Sequence, residues 1–182
     1  MEAPLSGRLL VATHHLTDLH FHRAVVLVLA HDTKEGAAGI VLNRPSGAPP
    51  PDRLEAWRPL AATPAVMFTG GPVSRDTLIG IAVAHTGQNP TGWQPVHGRL
   101  GVVDLHTDAA LARTELAGMR LFSGYAGWEA GQLEEEIGAR AWFVVAPRPG
   151  DALTVAPDDL WRAVLARQGG LFTTVPLDPN LN

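Results

Sequence analysis

The sequence contains no cysteine. That excludes disulfides, thiolate nucleophiles, iron–sulfur clusters and cysteine-ligated zinc, and it fits a reducing compartment. Basic charge is also scarce: 14 Lys+Arg stand against 18 Asp+Glu in 182 residues, for a formal net charge of -4. Such a chain lacks the general basic field that neutralises phosphates, which argues against direct nucleic-acid binding. No apolar run approaches the ~18 residues that span a bilayer. The opening MEAPLSGRLLVATHH, with Glu2 and two histidines, is not patterned as a secretory signal. The expected location is the cytoplasm, with no membrane attachment. Serine is confined to Ser6, Ser46, Ser74 and Ser123, and the one tyrosine is Tyr125. G-x-S-x-G, H-E-x-x-H, P-loop and G-x-G-x-x-G motifs are all missing, so motifs assign neither a catalytic residue, nor a metal, nor a cofactor.

What is present is a globular composition, 46% hydrophobic and 18% charged, of a length that suits one domain over residues 1–182. With 19 Gly and 15 Pro, the chain is interrupted too often for a helical bundle. Strands are expected at Leu9–Thr13, Ala24–Ala30 and Ala37–Asn43, the last two joined as a hairpin by a polar turn ending in Gly36. Further strands are expected at Val66–Thr69, Leu78–His85, Leu100–Asp104, Met119–Ser123 and Trp142–Ala146. Helices are expected at Asp52–Ala61, Asp108–Gly118, Gln132–Ala139 and Pro157–Gln168, the last with Leu160, Trp161, Val164 and Leu165 as its apolar stripe. Ser74 reads as the cap of a helical turn, residues 86–98 as a long loop around Trp93, and Gly124–Trp128 as a glycine-rich turn. The tail from Leu171 reads as a loose end. Strands and helices mixed without strict alternation point to an α+β fold with several short strands.

Several residue groups suggest chemistry. Ser74, Asp76 and His85 are the residue types of a hydrolase triad. His14, His15, His20, His22 and His31 crowd around Asp18, and His20 and His22 share a face if that segment is extended, as two metal ligands would. Glu134, Glu135 and Glu136 diverge by about 100° each on a helix and read as a solvated face. Free N–H groups in Gly124–Trp128 would suit an anion, although the neighbouring carboxylates oppose one. The C-terminal helix begins with two aspartates and carries only Arg162 and Arg167, which does not suit DNA readout.

The blocks Gly7–Ala12 (GRLLVA), Phe21–Leu29, Gly36–Pro45 (GAAGIVLNRP), Gly70–Val73 (GGPV) and Phe122–Ile137 (FSGYAGWEAGQLEEEI) resemble the YqgE/AlgH family. The similarity continues through Trp142, Asp159-Leu160-Trp161 and Leu165, in order over nearly the whole chain. The resemblance implies a single compact α+β domain in which a bifurcated mixed sheet curls into a partial barrel flanked by helices. Family members carry the label of transcriptional regulators, tied to exopolysaccharide production, yet no DNA-binding motif, enzyme activity or catalytic residue comes with the family. His14 and Leu19 stand where prolines are frequent in the family, Ala24 where serine or threonine is frequent, and the loop Gly87–Gly98 is individual.

The resulting expectation is a non-catalytic regulatory domain that binds a protein or a small ligand. Its candidate contact residues are Asn43, Arg44 and Pro45, then Gly70, Gly71 and Pro72, then Gly124, Tyr125, Gly127, Trp128 and Gln132. The competing expectations are a hydrolase or metal-dependent enzyme built on Ser74 or the N-terminal histidines, and a transcription factor that binds DNA directly.

Overall fold

The computed structural model describes residues 4–169; the tail expected to end loosely lies outside them. The β-branched run after Ala24 is buried on both faces and forms an interior strand of the sheet. In chain order the strands are β1 (Leu9–Ala12), β2 (Val25–Asp32), β3 (Gly36–Val41), β4 (Phe68–Thr69), β5 (Val73–Ala84), β6 (Trp93–His97), β7 (Leu100–Val103), β8 (Leu116–Trp128) and β9 (Trp142–Val145). The helices are α1 (Ala109–Glu115), α2 (Gln132–Gly138), α3 (Pro149–Ala152) and α4 (Leu160–Ala166), with 3-10 segments at Asp52–Leu60 and Pro157–Asp159.

One sheet holds all nine strands in the order β6-β7-β5-β8-β3-β2-β1-β9, with β4 pairing β8 off that path. Every pairing is antiparallel except β4 with β8. The sheet divides along β8: residues from Leu116 to Tyr125 pair with β5, and Ala126 to Trp128 pair with β3. It curls without closing. Gly7, just before β1, lies so near β6 that a Cβ there would stand 2.6 Å from the Val96 carbonyl oxygen. The α+β class and the partial barrel are therefore as expected.

Inside the curl, Leu9, Val11, Leu27, Ile40, Phe68, Ile81 and Phe122 form the principal core, closed at one side by Leu160, Trp161, Val164 and Leu165 of α4. The four-residue stripe read from the sequence is wholly buried, and Trp161 Nε1 also donates to the Ala12 carbonyl at 2.8 Å. A second core lies between the sheet, the 3-10 segment and α1. A third, with Trp128, Leu133 and Trp142, packs α2 on the outer face.

The hairpin β2–β3 turns as expected, with Gly36 at φ 106 and Asp32 Oδ1 accepting from the N–H groups of Lys34 and Glu35. Five expectations require correction. Gly124–Trp128 is no turn but the second half of β8. Ser74 caps nothing, since it belongs to β5 at a left-handed φ of 45. The loop of residues 86–98 contains β6, in which Pro95 sits on an edge strand where its missing N–H costs no ladder bond. The helix expected to Gly118 ends at Glu115, and its last residues already belong to β8. Asp52–Leu60 winds as a 3-10 helix, with Pro59 inside it unable to donate an α-helical bond.

Candidate functional site

β2 begins and β3 ends at the same end of their hairpin, and that end carries the first group of candidates. Asn43 follows β3 and is 6% exposed; its Oδ1 accepts from Val25 N–H at 3.0 Å and its Nδ2 donates to the Arg23 carbonyl at 2.8 Å. Its amide is thus spent on joining two chain segments. Arg44 is half-buried, donating from Nη1 to the Asn43 carbonyl and from Nη2 to the His22 carbonyl. Burial lowers its pKa from the ordinary arginine value, and the nearby Asp158 carboxylate partly restores it. Pro45 bridges to Phe68. Arg44, Pro45, Gly71 and Pro72 line one small cleft with His20 and Arg75.

Gly70, Gly71 and Gly124 owe their identity to backbone proximity. A Cβ on Gly71 would stand 2.1 Å from the Tyr125 carbonyl carbon, and one on Gly124 2.5 Å from the Gly71 carbonyl oxygen. Two chains pass here without room for a methyl group. Opposite Gly124, β5 bulges outward between Val73 and Leu78, and the Ser123 hydroxyl donates to the Arg75 carbonyl within the bulge.

Tyr125, Gly127, Trp128 and Gln132 converge on a second, wider cleft of about 760 Å³ beside the β2–β3 turn. Val73, Gly36 and Ala38 complete its floor, and Asp32, Glu35 and Glu129 add carboxylates. Its walls are fixed from behind. Glu136 Oε2 accepts from both Trp128 Nε1 at 2.9 Å and Trp142 Nε1 at 2.8 Å, while its Oε1 accepts from Gln132 Nε2 at 3.0 Å. Phe21 packs on both indoles, with ring centroids 6.1 and 5.7 Å away. Gln132 Oε1 in turn caps the Glu129 N–H at 3.0 Å. His31, whose side chain is 4% exposed, bonds Glu134 Oε1 through Nε2 at 2.6 Å, and this bond holds the Glu134 carboxyl below its ordinary pKa. The run Glu134–Glu136 is therefore more than a solvated face: two of its three carboxylates hold α2 in place.

The two groups of candidates do not form one site. Arg44 lies beyond one end of β3, and Trp128 pairs with Ala37 at the other, roughly 20 Å away at ~3.3 Å per strand residue. The anion site imagined at Gly124–Trp128 is overturned, because those residues pair with β3 and β5.

Ser74 and His85 are not a catalytic pair: Ser74 lies near the start of β5 and His85 beyond its end, and the stretch Leu78–Ala84 between them alone spans roughly 20 Å at ~3.3 Å per residue. His20 and His22 share no strand face, because their segment is a turn held by Asp18, which accepts from both their N–H groups. The rings of His14 and His15 lie side by side, tilted by 38° with centroids 4.0 Å apart. Among the described residues no three His, Asp or Glu side chains are grouped to hold a metal ion. Also among them, no helix is long and apolar enough to cross a membrane.

Two arginines were missed by sequence reasoning. Arg120, 2% exposed, donates to the Ala152 and Thr63 carbonyls, lies 4.2 Å over the Phe68 ring and has an unpartnered Nε; burial pushes its pKa down to about 10. Its only signal in the sequence is a single charge inside the apolar stretch Met119–Phe122. Arg23 adopts a left-handed φ of 53 and places its guanidinium 5.5 Å from the Trp161 ring centroid. No sequence pattern marks that conformation.

Comparison with known proteins adds kinship to this geometry. Residues 9–173 match the family model described as AlgH-like (DUF179). A UPF0301 protein of Streptomyces avermitilis is 49% identical, with 98% of this chain and 95% of that protein covered. One from Mycobacterium tuberculosis is 40% identical, covering 97% and 90%. The crystal structure of a Corynebacterium diphtheriae protein shares the fold at a TM-score of 0.90 and 28% identity, covering 96% of this chain and 92% of that one. The solution structure of the AlgH protein from Pseudomonas aeruginosa gives a TM-score of 0.68 at 30% identity, covering 93% and 92%. With the family model spanning most of its length and relatives up to 49% identical across nearly all of it, the chain belongs to the AlgH-like family.

Proposed function

We propose that the protein is a non-catalytic regulatory domain of the cytoplasm, which acts by holding a partner protein in the open cleft beside the β2–β3 turn. The observation that carries this reading is the convergence of Tyr125, Gly127, Trp128 and Gln132 on one cleft, where Glu136 holds both Gln132 and the buried Trp128 indole in place. A wall fixed before binding loses little side-chain freedom on association, which favours recognition. Gly127 leaves the backbone open to approach, and Tyr125 offers a flat ring with a hydroxyl, a combination suited to protein contacts. Asp32, Glu35 and Glu129 at the cleft favour a partner segment carrying Lys or Arg. Any influence on transcription is indirect on this reading, since a chain of net charge -4 is ill suited to duplex DNA.

The test is capture from the native host's lysate with the wild type and with Glu35→Lys/Glu129→Lys, followed by affinity measurement on the purified partner. Charge reversal is expected to weaken that affinity at least about tenfold and to lower its on-rate. Equal affinities for both proteins would remove the cleft as the contact. A gel shift on duplex DNA at low salt supplies the other arm, where salt-sensitive retardation would replace this reading with direct DNA binding.

A further inference from the structure

A third cleft, of about 470 Å³, opens at the other end of the β2–β3 hairpin and is built from different chemistry. Arg23 before β2, Arg44 after β3 and Arg162 on α4 all line it, together with His22 and the ring of Trp161. Three arginines from three separate stretches of chain thus line one concavity. Asp158 and Asp159 share the cleft, but among the described residues neither forms an ion pair within 4 Å of any of the three.

The arginines are also held in place without an anion. Arg23 has a left-handed φ of 53, a conformation that strains a non-glycine residue. Among the described residues its guanidinium has only the Trp161 ring beneath it, with no hydrogen bond or ion pair of its own. Arg44 donates only to the neutral carbonyls of His22 and Asn43, and burial disfavours its charge. Backbone strain at Arg23 and desolvation at Arg44 are therefore both borne at one cleft, where Asp158 offsets the Arg44 charge only in part.

We propose that this cleft binds a small phosphorylated molecule, its phosphate held by Arg23, Arg44 and Arg162 and its hydroxyl groups accepted by Asp158. A carboxylate engages one guanidinium fork, whereas a phosphate dianion presents three oxygens to several forks at once. The aspartates oppose a bare anion but suit one attached to a hydroxylated body. The volume lies within the range of small-molecule sites. This site is separate from the partner cleft proposed above, so either assignment can fail without the other.

The test is an NMR and calorimetric titration of the full chain with inorganic phosphate, pyrophosphate and glycerol 3-phosphate, at ionic strength matched with chloride. Saturable shifts are expected at the Arg23 and Arg44 amides and at the arginine Nε–H signals, with glycerol 3-phosphate binding more tightly than inorganic phosphate. Arg162→Gln, at an exposed position, and Arg23→Gln are each expected to weaken binding about tenfold while the wild-type spectrum of the core is kept. Asp158→Asn is expected to tighten inorganic phosphate and to remove the preference for glycerol 3-phosphate. No saturable shift up to about 10 mM, or arginine variants that titrate like the wild type, would overturn the site.

Discussion

Nε2 of His31 lies 2.6 Å from Oε1 of Glu134, and the same ring's Nδ1 accepts the backbone N–H of Leu5 at 3.2 Å. With Nδ1 turned to the Leu5 N–H, Nε2 is the ring nitrogen directed at the carboxylate. One side chain thereby ties the segment before β1 and helix α2 to strand β2.

The pH dependence follows from Glu134. Its folded pKa lies below the ordinary 4.5, with the His31 bond as the largest cause. A carboxyl depressed in the folded state stabilises the protein fully above its unfolded pKa, and that contribution is lost as pH falls through the folded value. Glu134→Gln is expected to lower stability by about 1 kcal/mol at pH 7 and to flatten the acid limb of the stability curve below about pH 4.5. Urea unfolding at several pH values reads both effects.

Glu136 is the single acceptor for two buried indoles, at Trp128 and Trp142. Glu136→Ala leaves both N–H groups without it and is expected to cost about 2 kcal/mol, with a red shift of tryptophan emission as water reaches the rings. Glu136→Gln keeps an oxygen for both indoles and should recover part of the loss, but not all of it, because its new NH₂ group faces the Gln132 NH₂ while the Gln132 oxygen is held by the Glu129 N–H.

Asn43 uses both ends of its amide. Asn43→Asp retains the acceptor for Val25 but sets a carboxylate oxygen against the Arg23 carbonyl, so it is expected to destabilise as much as Asn43→Ala, by about 1 to 3 kcal/mol. Thermal unfolding distinguishes this from a residue needed only for binding, whose replacement would leave the melting temperature unchanged.

Gly71 and Gly131 separate two demands on glycine. Gly71→Ala brings a Cβ within 2.1 Å of the Tyr125 carbonyl carbon and is expected to cost at least about 3 kcal/mol or to prevent folding. Gly131 has a φ of 79 with nothing near its missing Cβ, so Gly131→Ala carries only the backbone penalty, about 1 kcal/mol. Denaturant midpoints of the two variants decide the comparison.

The elements legible in the sequence were those with one dominant cause. Val25–Val28 is a continuous apolar run because both faces of its strand are covered, and the stripe Leu160, Trp161, Val164 and Leu165 keeps helical spacing because one face is covered. The misreadings have a common physical origin in residues that serve two purposes. Glycines in GYAGW read as a turn, but Gly124 is glycine because another backbone passes beside it, and the strand runs on. Pro95 reads as a strand breaker, yet an edge position asks nothing of its nitrogen. Of the candidate residues, Tyr125, Gly127, Trp128 and Gln132 meet in one cleft, a convergence that their short separation in the chain already favours. The Arg23 side of the molecule was hidden, since its assembly depends on a left-handed arginine and on segments more than a hundred residues apart.

The position of β1 governs how the chain can be made. Leu9 to Val11 pair with β2 on one side and with β9 on the other, where Leu9 meets Val145. During synthesis the first strand gains one neighbour early and must wait for the other until most of the chain has left the ribosome. Its second edge is meanwhile an open template for strand pairing. Contacts so distant in sequence make the final zippering slow. A nascent chain that stalls before Trp142 therefore presents an unprotected apolar edge, and the cell must keep that edge from other strands until β9 arrives.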